Sequence, residues 1–191
     1  MDAVLGPTVE PLSPADVRAE RAALEVLYFA AFSPPPYVES RAEAEAFGAL
    51  AERDSHRPGY VAFVARSGER HRAPIGLAYG YDTPSESPGG AWWERLLEAV
   101  GDEAAARWVL GQFAFCWFAV SPEAQRTGLG VALYDAVMAQ VLAPRAWLVT
   151  HGDPSVARAM YDRRGWRELA RAELGWVPGE RAVMGLEVAT V

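Results

Sequence analysis

The chain begins with two stretches in which apolar residues recur at helical spacing. In the first, Ser13 and Pro14 precede apolar residues three and four positions apart as far as Ala31. A capping residue followed by a first-turn proline is typical of a helix start. The prolines at 34–36 end this predicted helix, and the second helix covers about residues 40–53 with its apolar residues on one face.

Two strand patterns follow, over residues 60–65 and 75–81. The second alternates large residues with Gly76, Ala78 and Gly80, so one face of that strand carries almost no side-chain volume. Such a face lets another group come close to the strand backbone. That group could be a packed helix or a ligand.

A segment at about 82–111 interrupts the strands. It begins with a Pro-, Ser- and Gly-rich loop and continues with helical patterns over 91–100 and 103–110. Three of the seven Trp residues lie in it. We predict an insertion here, which could line a ligand pocket, cover a sheet edge or mediate dimerisation.

The second half of the chain alternates strands with helices. Residues 113–120 are apolar without interruption, which predicts a central strand buried on both faces. The order of elements predicts one α/β domain over residues 1–191, with a mixed sheet and helices on both of its faces. The remaining predicted elements are helices at about 127–142 and 154–164 and strands at 146–150, 166–174 and 182–188, the last two joined by a turn at 176–179.

Composition removes several classes of function. The 191 residues include one Cys and neither Lys nor Asn, which excludes a disulfide framework, a Cys-rich zinc site, a G-x-x-x-x-G-K-S/T phosphate loop and lysine Schiff-base chemistry. No apolar run reaches the ~18 residues that a membrane helix needs, and the first residues lack a signal-peptide pattern. We expect a cytoplasmic protein, and the surplus of Ala, Arg, Gly and Pro suggests a bacterial source.

Charge is unevenly distributed along an acidic chain. The formal net charge is −7; residues 1–60 carry five Arg against ten acidic residues, whereas residues 121–171 carry seven Arg against five. Nucleic-acid binding depends on neutralising many phosphates, so this balance argues against it. The basic stretch is compatible with one anionic ligand held locally, and equally with scattered solvated charge.

The basic stretch contains the loop that joins the strand at 113–120 to the next helix. The sequence QRTGLG at residues 125–130 places Gly128 and Gly130 at the helix start. N–H groups in the first turn of a helix lack intrahelical partners, and together with the helix dipole they attract a phosphate. Arg126 adds a guanidinium suited to phosphate oxygens. A glycine-containing turn without a ligand is the alternative.

This loop resembles the Q/R-x-x-G-x-G/A motif of the GNAT superfamily of acetyl-CoA-dependent N-acetyltransferases. Further along, the sequence ARAMYDRRGW at 157–166 resembles that family's second signature, a helix ending in Tyr161 followed by glycine and an aromatic residue. The resemblance covers roughly residues 60–188, and the two motifs together are specific. It implies the family's fold, whose mixed sheet is mostly antiparallel.

The resemblance also implies which residues hold coenzyme A. The strand edge would pair with the pantetheine arm, and backbone amides of the loop would hold the pyrophosphate. Family members often carry an Asn near the start of the last helix; the chain has none, so that contact is lost or is made by Asp153 or Ser155. The predicted cofactor residues are Phe118, Ala119, Val120, Gln125, Arg126, Thr127, Gly128, Leu129, Gly130, Val131 and Ser155.

Tyr161 is the catalytic residue that the resemblance implies most directly. It would act as general acid for the departing thiolate while an amine attacks the thioester carbonyl. Without the motif, it would be a core aromatic at a helix end. The general base is open among His151, Asp82, Glu39 and a chain of water molecules, and His151 could equally be a surface histidine.

Cys116, His56 and His71 are expected to have no role in catalysis. Cys116 lies mid-strand among aromatic residues, which favours inert core over an acyl carrier. His56 and His71 are expected in loops. Three scattered histidines and one Cys predict no metal site.

In the family, the first two helices usually frame the acceptor site. Here they bring aromatic residues and a carboxylate into one acidic segment, which predicts an acceptor with an aromatic or apolar body and a cationic amine. An acidic, solvated helix face is the alternative. The residues concerned are Tyr28, Phe29, Phe32, Tyr37 and Glu39.

The sequence thus predicts an N-acetyltransferase that transfers an acetyl group from acetyl-CoA to the primary amine of a small molecule, by direct attack in a ternary complex. A protein acetyltransferase acting on an N-terminus or a lysine is one alternative, and an acyl-CoA-binding sensor without turnover is another. We expect no nucleic-acid or membrane partner. The exposed aromatics of the insertion are compatible with a homodimer.

Overall fold

The structure, a computed structural model, describes residues 6–35, 37–68, 73–174 and 179–188. Seven strands and seven α-helices lie within these ranges. The strands are β1 (Thr8–Pro11), β2 (Val61–Arg66), β3 (Pro74–Asp82), β4 (Phe113–Val120), β5 (Arg145–His151), β6 (Arg167–Ala172) and β7 (Arg181–Glu187). The helices are α1 (Pro14–Ala19), α2 (Arg21–Phe32), α3 (Arg41–Asp54), α4 (Ala91–Val100), α5 (Asp102–Trp108), α6 (Leu129–Met138) and α7 (Val156–Arg163).

The strands form a mixed sheet in the order β1-β2-β3-β4-β5-β7-β6. The registers of β1 with β2, β2 with β3, β5 with β7 and β6 with β7 are antiparallel, whereas β4 runs parallel to β5. The parallel register joins two residue pairs, Phe113 with Ala146 and Ala114 with Trp147. These pairings and the surrounding helices confirm the predicted α/β class with a mixed, mostly antiparallel sheet.

Contacts within the chain group its residues into two units. The first unit comprises residues 1–81 and 117–141, and the second unit comprises residues 82–116 and 142–191. Strand β4 therefore contributes residues to both. The single domain over 1–191 with an insertion at 82–111 stays a prediction.

In the first unit, α6 packs against β1 and β2, and α2 packs against α3. Gly76 on β3 makes the approach of α6 possible, because a Cβ on it would lie 2.7 Å from the Cδ1 atom of Leu133. Leu133 is itself fully buried. At Gly76, the bare strand face therefore accepts a helix.

In the second unit, α4 packs against β6. The rings of Trp92 and Trp93 lie 6.5 and 5.7 Å from that of Trp147. The Trp147 indole N–H donates a hydrogen bond of 2.8 Å to the buried hydroxyl of Thr83. The sequence left three roles open for this segment. Its contact with β6, the last strand of the sheet, supports the role of covering a sheet edge.

Several predicted boundaries were wrong. The first helix is two helices, because Glu20 leaves helical geometry with φ −103° and ψ 10°. Strand β1 was missed, since four residues ending in a proline give little periodicity. Helix α6 begins at Leu129 and ends at Met138, inside the predicted 127–142, and α7 begins after its capping residue Ser155. The predicted turn residues 176–178 lie outside the described residues.

None of the described helices combines the length and the apolar character that crossing a bilayer would take.

Candidate functional site

The loop between β4 and α6 has an unusual backbone. A 3₁₀ turn, Pro122–Ala124, follows β4, and the N–H of Gln125 closes it on the carbonyl of Pro122 at 3.4 Å. Arg126 then has φ 63° and Gly128 has φ 89°, both in the left-handed region. The chain thus enters α6 through two left-handed residues, a type of backbone that forms anion-binding concavities.

The loop and the first turn of α6 leave consecutive backbone donors without acceptors. Among the described residues, no hydrogen bond uses the N–H groups of residues 126–131, and the first bond of the helix runs from the N–H of Ala132 to the carbonyl of Gly128 at 3.0 Å. Six donors in a row, next to the positive end of a helix dipole, fit a phosphate or diphosphate. The predicted binding residues therefore suit the pyrophosphate of coenzyme A, with the exception of the Gln125 amide.

Two side chains of the loop hold its own backbone. The Gln125 side-chain amide donates to the carbonyl of Val120 at 3.1 Å, and the Thr127 hydroxyl donates to the carbonyl of Ala124 at 2.7 Å. These bonds fix the loop to the end of β4 before any ligand arrives. Polar side chains here position the backbone donors.

Arg126 provides the positive charge of the loop. Its side chain is exposed, and it takes part in none of the ion pairs formed among the described residues. A guanidinium without a carboxylate partner keeps its donors for a phosphate.

The start of α6 lies against the end of β4. A Cβ on Gly130 would come within 3.1 Å of the Phe118 Cζ atom and 3.7 Å of the Val120 Cγ2 atom. The structure thus brings together the loop residues and the β4 residues predicted for the cofactor. The prediction that β4 is buried on both faces was wrong over Cys116–Phe118 and at Val120, which are half-buried. Ala119 is buried.

An aromatic cluster covers the Trp117 part of β4. Tyr28 of α2 stacks on Phe47 of α3 at 4.4 Å, and Trp117 meets both rings edge-on at 5.3 and 5.0 Å. Phe32 and Tyr37 extend the group, with their rings 5.1 Å apart. We call these five residues the aromatic cluster.

Glu39 completes this part of the molecule. It accepts a hydrogen bond from the Tyr28 hydroxyl. Burial raises the pKa of Tyr28, and the hydrogen bond to Glu39 raises it further, so this phenol stays neutral. Four of the five residues predicted for the acceptor therefore come together. Phe29 does not join them; its ring faces the guanidinium of Arg41 at 4.6 Å.

Sequence analysis placed neither Phe47 nor Trp117 in the site. Trp117 lies in an unbroken apolar run, where nothing in the pattern distinguishes a half-exposed ring from a buried one. Its ring contacts with Tyr28, Phe32 and Phe47 identify it.

Tyr161 lies in the second unit, near the end of α7. Its ring is 5% exposed and packs against Phe115 at 6.4 Å and Trp166 at 5.8 Å. Its carbonyl accepts the N–H groups of Arg164 and Trp166, which ends the helix. The packing gives the ring a structural role, and the catalytic role of the phenol stays a prediction.

His151 is the last residue of β5, so its predicted position just past that strand was wrong by one residue. Its Nδ1 atom lies 3.4 Å from the Nη1 atom of Arg181. Burial lowers the pKa of the imidazole, the charge of Arg181 lowers it further, and Asp153 opposes the shift. A neutral imidazole at pH 7 is able to accept a proton.

Two more candidate residues belong to the second unit. Ser155 caps α7, and its hydroxyl oxygen accepts the N–H of Arg158 at 3.0 Å. Burial raises the pKa of Asp82, at the end of β3. Neither observation tests their predicted roles.

The remaining candidate residues are unremarkable. The Cys116 thiol is half-buried and lies 3.4 Å from the carbonyl of Ala114. His56 is exposed after α3, as expected, and His71 lies outside the described residues. Within the part of the chain that the structure describes, no three His, Cys, Asp or Glu side chains are grouped to hold a metal ion.

Comparison with known families decides to which family the chain belongs. A family model described as the acetyltransferase (GNAT) family matches residues 22–166, about three quarters of the chain. The chain belongs to the GNAT family of acetyltransferases. A search of curated protein sequences finds no match. As a GNAT acetyltransferase, the protein takes its acetyl group from acetyl-CoA.

Solved structures support the GNAT fold. A protein assigned to that family from Desulfovibrio desulfuricans is 20% identical, over 96% of this chain and 100% of that one, with a TM-score of 0.61. The ribosomal-protein-S18-alanine N-acetyltransferase of Escherichia coli is 18% identical, over 97% and 96%, with a TM-score of 0.62. A Salmonella typhimurium protein solved with its cofactor acetyl-CoA is 14% identical, over 98% and 96%, with a TM-score of 0.57. At these identities the likeness establishes the fold.

Proposed function

We propose that this GNAT acetyltransferase transfers an acetyl group from acetyl-CoA to the primary amine of a small molecule, by direct attack in a ternary complex. The observation that carries the proposal is the run of six backbone donors at residues 126–131. Such a run is suited to the diphosphate of the donor. The compact aromatic cluster favours a small acceptor over a folded protein surface.

The proposed donor site consists of backbone groups and one charge. The amides of residues 126–131 would hold the pyrophosphate, with Arg126 as its counter-charge. The end of β4 at Phe118, Ala119 and Val120 would pair with the pantetheine arm. Ser155 or Asp153 would take the contact that the family often gives to an Asn.

The proposed chemistry assigns one proton transfer to each of two side chains. When bound, acetyl-CoA supplies a thioester carbonyl that a neutral amine is able to attack. Tyr161 would donate its phenolic proton to sulfur as the carbon–sulfur bond breaks and the nitrogen–carbon bond forms. His151 would accept the proton that the amine loses, and its lowered pKa leaves the imidazole neutral for that purpose.

Calorimetry tests the donor site directly. Coenzyme A and pantetheine share the thiol arm, but pantetheine lacks the phosphates. We expect coenzyme A to bind at least about tenfold more tightly, since the loop donors act on the pyrophosphate. Equal affinities would remove the support that the loop gives to the proposal.

Thiol release in the presence of acetyl-CoA tests turnover. A panel of small amines is compared with a peptide that offers a free N-terminus and a lysine. The Tyr161→Phe variant keeps the ring between Phe115 and Trp166, so we expect coenzyme affinity to stay within about twofold while kcat falls by about 10²-fold. Tyr60→Phe, which removes a hydroxyl elsewhere, is the matched control.

Each competing function has its own outcome. Release on the peptide alone identifies a protein acetyltransferase. Coenzyme binding without release on any acceptor identifies a sensor. Either result overturns the small-molecule proposal.

A further inference from the structure

We propose that the aromatic cluster and Glu39 bind the acceptor, and that they select amines whose apolar body carries a second positive charge. The inference rests on the proposed function, because it names the substrate class of the same enzyme. It depends on residues of the first unit alone.

Two rings of the aromatic cluster are buried and three are partly exposed. Tyr28 and Phe47 are buried, whereas Phe32, Tyr37 and Trp117 are half-buried. Ring surface that remains open beside buried rings is suited to an apolar chain. It is also suited to a cation, which the negative face of an aromatic ring attracts.

Glu39 gives the cluster its charge. Its carboxylate is half-buried beside Tyr28, and its presence raises the pKa of both Tyr28 and Tyr37 in addition to the effect of burial. Both phenols therefore stay neutral. A carboxylate that lies beside a neutral phenol and partly open aromatic rings is suited to an organic cation.

The loop that carries Glu39 is held in a strained conformation. Val38 has φ 55°, a region that a β-branched residue rarely adopts, and its side chain is 70% exposed. The neighbouring N–H of Glu39 donates to the carbonyl of Phe32 at 3.0 Å, which fixes the loop to the end of α2. Strained backbone persists where surrounding contacts fix it, and such positions cluster at ligand sites. The loop thus supports a binding role for the residue that follows Val38.

The cluster is linked to the donor loop through two adjacent residues of β4. Phe118 lies under Gly130 at the start of α6, while Trp117 contacts Tyr28 and Phe47. Successive side chains of a strand point to opposite faces. The donor loop and the cluster therefore lie on opposite faces of the same short segment of β4, so an amine held by the cluster is next to the strand proposed for pantetheine.

The charge that Glu39 binds is not the charge of the reacting nitrogen. An amine attacks a thioester only in its neutral form, so the nitrogen that reacts has lost its positive charge. A carboxylate that contributes to acceptor binding throughout the reaction needs another cation on the same molecule. This requirement points to diamines and similar amines with two charges.

Calorimetry with a matched pair of ligands tests the inference. 6-Aminohexanol and hexane-1,6-diol have the same chain and differ in one ammonium group, while a neutral hydroxyl of each stands in for the neutral reacting amine. Each is titrated into the full chain saturated with coenzyme A, and then without coenzyme A. We expect the aminoalcohol to bind at least about tenfold more tightly than the diol in both conditions.

Three variants assign that preference to Glu39. Glu39→Gln removes the charge at nearly constant shape, and we expect the ratio of the two dissociation constants to fall below about two. Glu45→Gln makes the same change on an exposed residue of α3 outside the cluster and keeps the ratio. Tyr28→Phe keeps ring and carboxylate, removes the hydrogen bond that positions Glu39, and lowers the ratio in part.

The outcomes separate this inference from the proposed function. A preference that is absent in the parent protein, that survives Glu39→Gln, or that Glu45→Gln also removes overturns the inference. Failure to bind coenzyme A overturns the proposed donor site instead, and the titrations without coenzyme A still report on Glu39. Coenzyme affinity equal to the parent's shows that the Glu39→Gln protein is folded.

Discussion

Gly128 has a backbone conformation that other residues adopt only under strain. Its φ is 89°, and a Cβ built on it would have no atom within 4 Å, so Gly128→Ala costs backbone strain and no clash. We expect a loss of about 1–2 kcal/mol in stability. Relaxation of φ would also displace the neighbouring N–H donors, so we expect coenzyme A affinity to fall at least about tenfold by calorimetry.

Gly89 offers a matched control for this strain. It has φ 76° and equally open space, but it lies in the loop before α4. Gly89→Ala should destabilise to a similar extent without changing coenzyme affinity. If both variants bind coenzyme A as the parent does, the donors of the loop do not hold it.

His151 makes stability depend on pH in a defined direction. The pKa of its imidazole in the folded chain lies below the ordinary 6.5, mainly because of burial. As the pH falls beneath 6.5, the unfolded chain takes up this proton first, so stability is full above that value and declines through the interval down to the folded pKa. The unfolding temperature of His151→Gln should therefore fall less between about pH 7.5 and about pH 5.5 than that of the parent.

His56→Gln is the comparison for this measurement. His56 is exposed, so its variant controls for the removal of an imidazole from the surface of the chain. An identical decline in all three proteins would show that burial of His151 is not linked to stability.

At this scale, the sequence predicted the donors of the loop but not the partners of its side chains. Gly128 and Gly130 were predictable because backbone conformation and close approach restrict the residue type. That Gln125 and Thr127 bond back to the loop depends on where β4 ends in three dimensions. The partners of Trp117 could not be predicted either, because they come from distant segments of the chain.

At the scale of elements, Arg66 joins three of them. From β2, its guanidinium binds Glu10 of β1 and makes two bonds of 2.7 Å to Glu20, between α1 and α2. The side chain is 12% exposed, and the pKa of Arg66 is raised by these carboxylates. Arg66→Lys keeps the charge and loses the planar fork, so we expect about 1–2 kcal/mol less stability in urea unfolding.

An exposed arginine provides the reference for that loss. Arg18 is 80% exposed and lies 3.6 Å from Glu52, and Arg18→Lys should change stability by less than about 0.5 kcal/mol. Equal effects of the two substitutions would mean that Arg66 does not hold these elements together.

Element boundaries were predictable where a local signal exists. Ser40 caps α3 in a capping box, and Gly165, with φ 84°, follows α7 as predicted. The break at Glu20 has no such signal. It coincides with the two bonds between Glu20 and Arg66, which join distant segments. Helical periodicity cannot report these contacts.

At the scale of the whole molecule, the sequence predicted the class of sheet but not its order. Alternating strands and helices predict a mixed sheet, and the two motifs carried the family resemblance. That β7 lies between β5 and β6 follows from pairing between distant segments, such as Trp147 with Gly185. Gly185 permits close packing there, because a Cβ on it would lie 2.8 Å from Trp108. Such a contact cannot be recognised before the fold is known.

Thermal unfolding measures the consequence of coenzyme binding for the whole chain. A ligand that binds only the folded state, at about 100 times its dissociation constant, adds about 2.7 kcal/mol of stability. In a chain of this length, each kcal/mol of added stability raises the unfolding temperature by about 2–4 °C. We therefore expect coenzyme A to raise the unfolding temperature by about 5–11 °C. Pantetheine at the same concentration should give about half of that rise or less, because it offers no phosphate to residues 126–131. If the two units unfold separately, the transition of the first unit should shift, since the loop and α6 belong to it. Equal shifts with both ligands would place the main anchor of the coenzyme outside this loop.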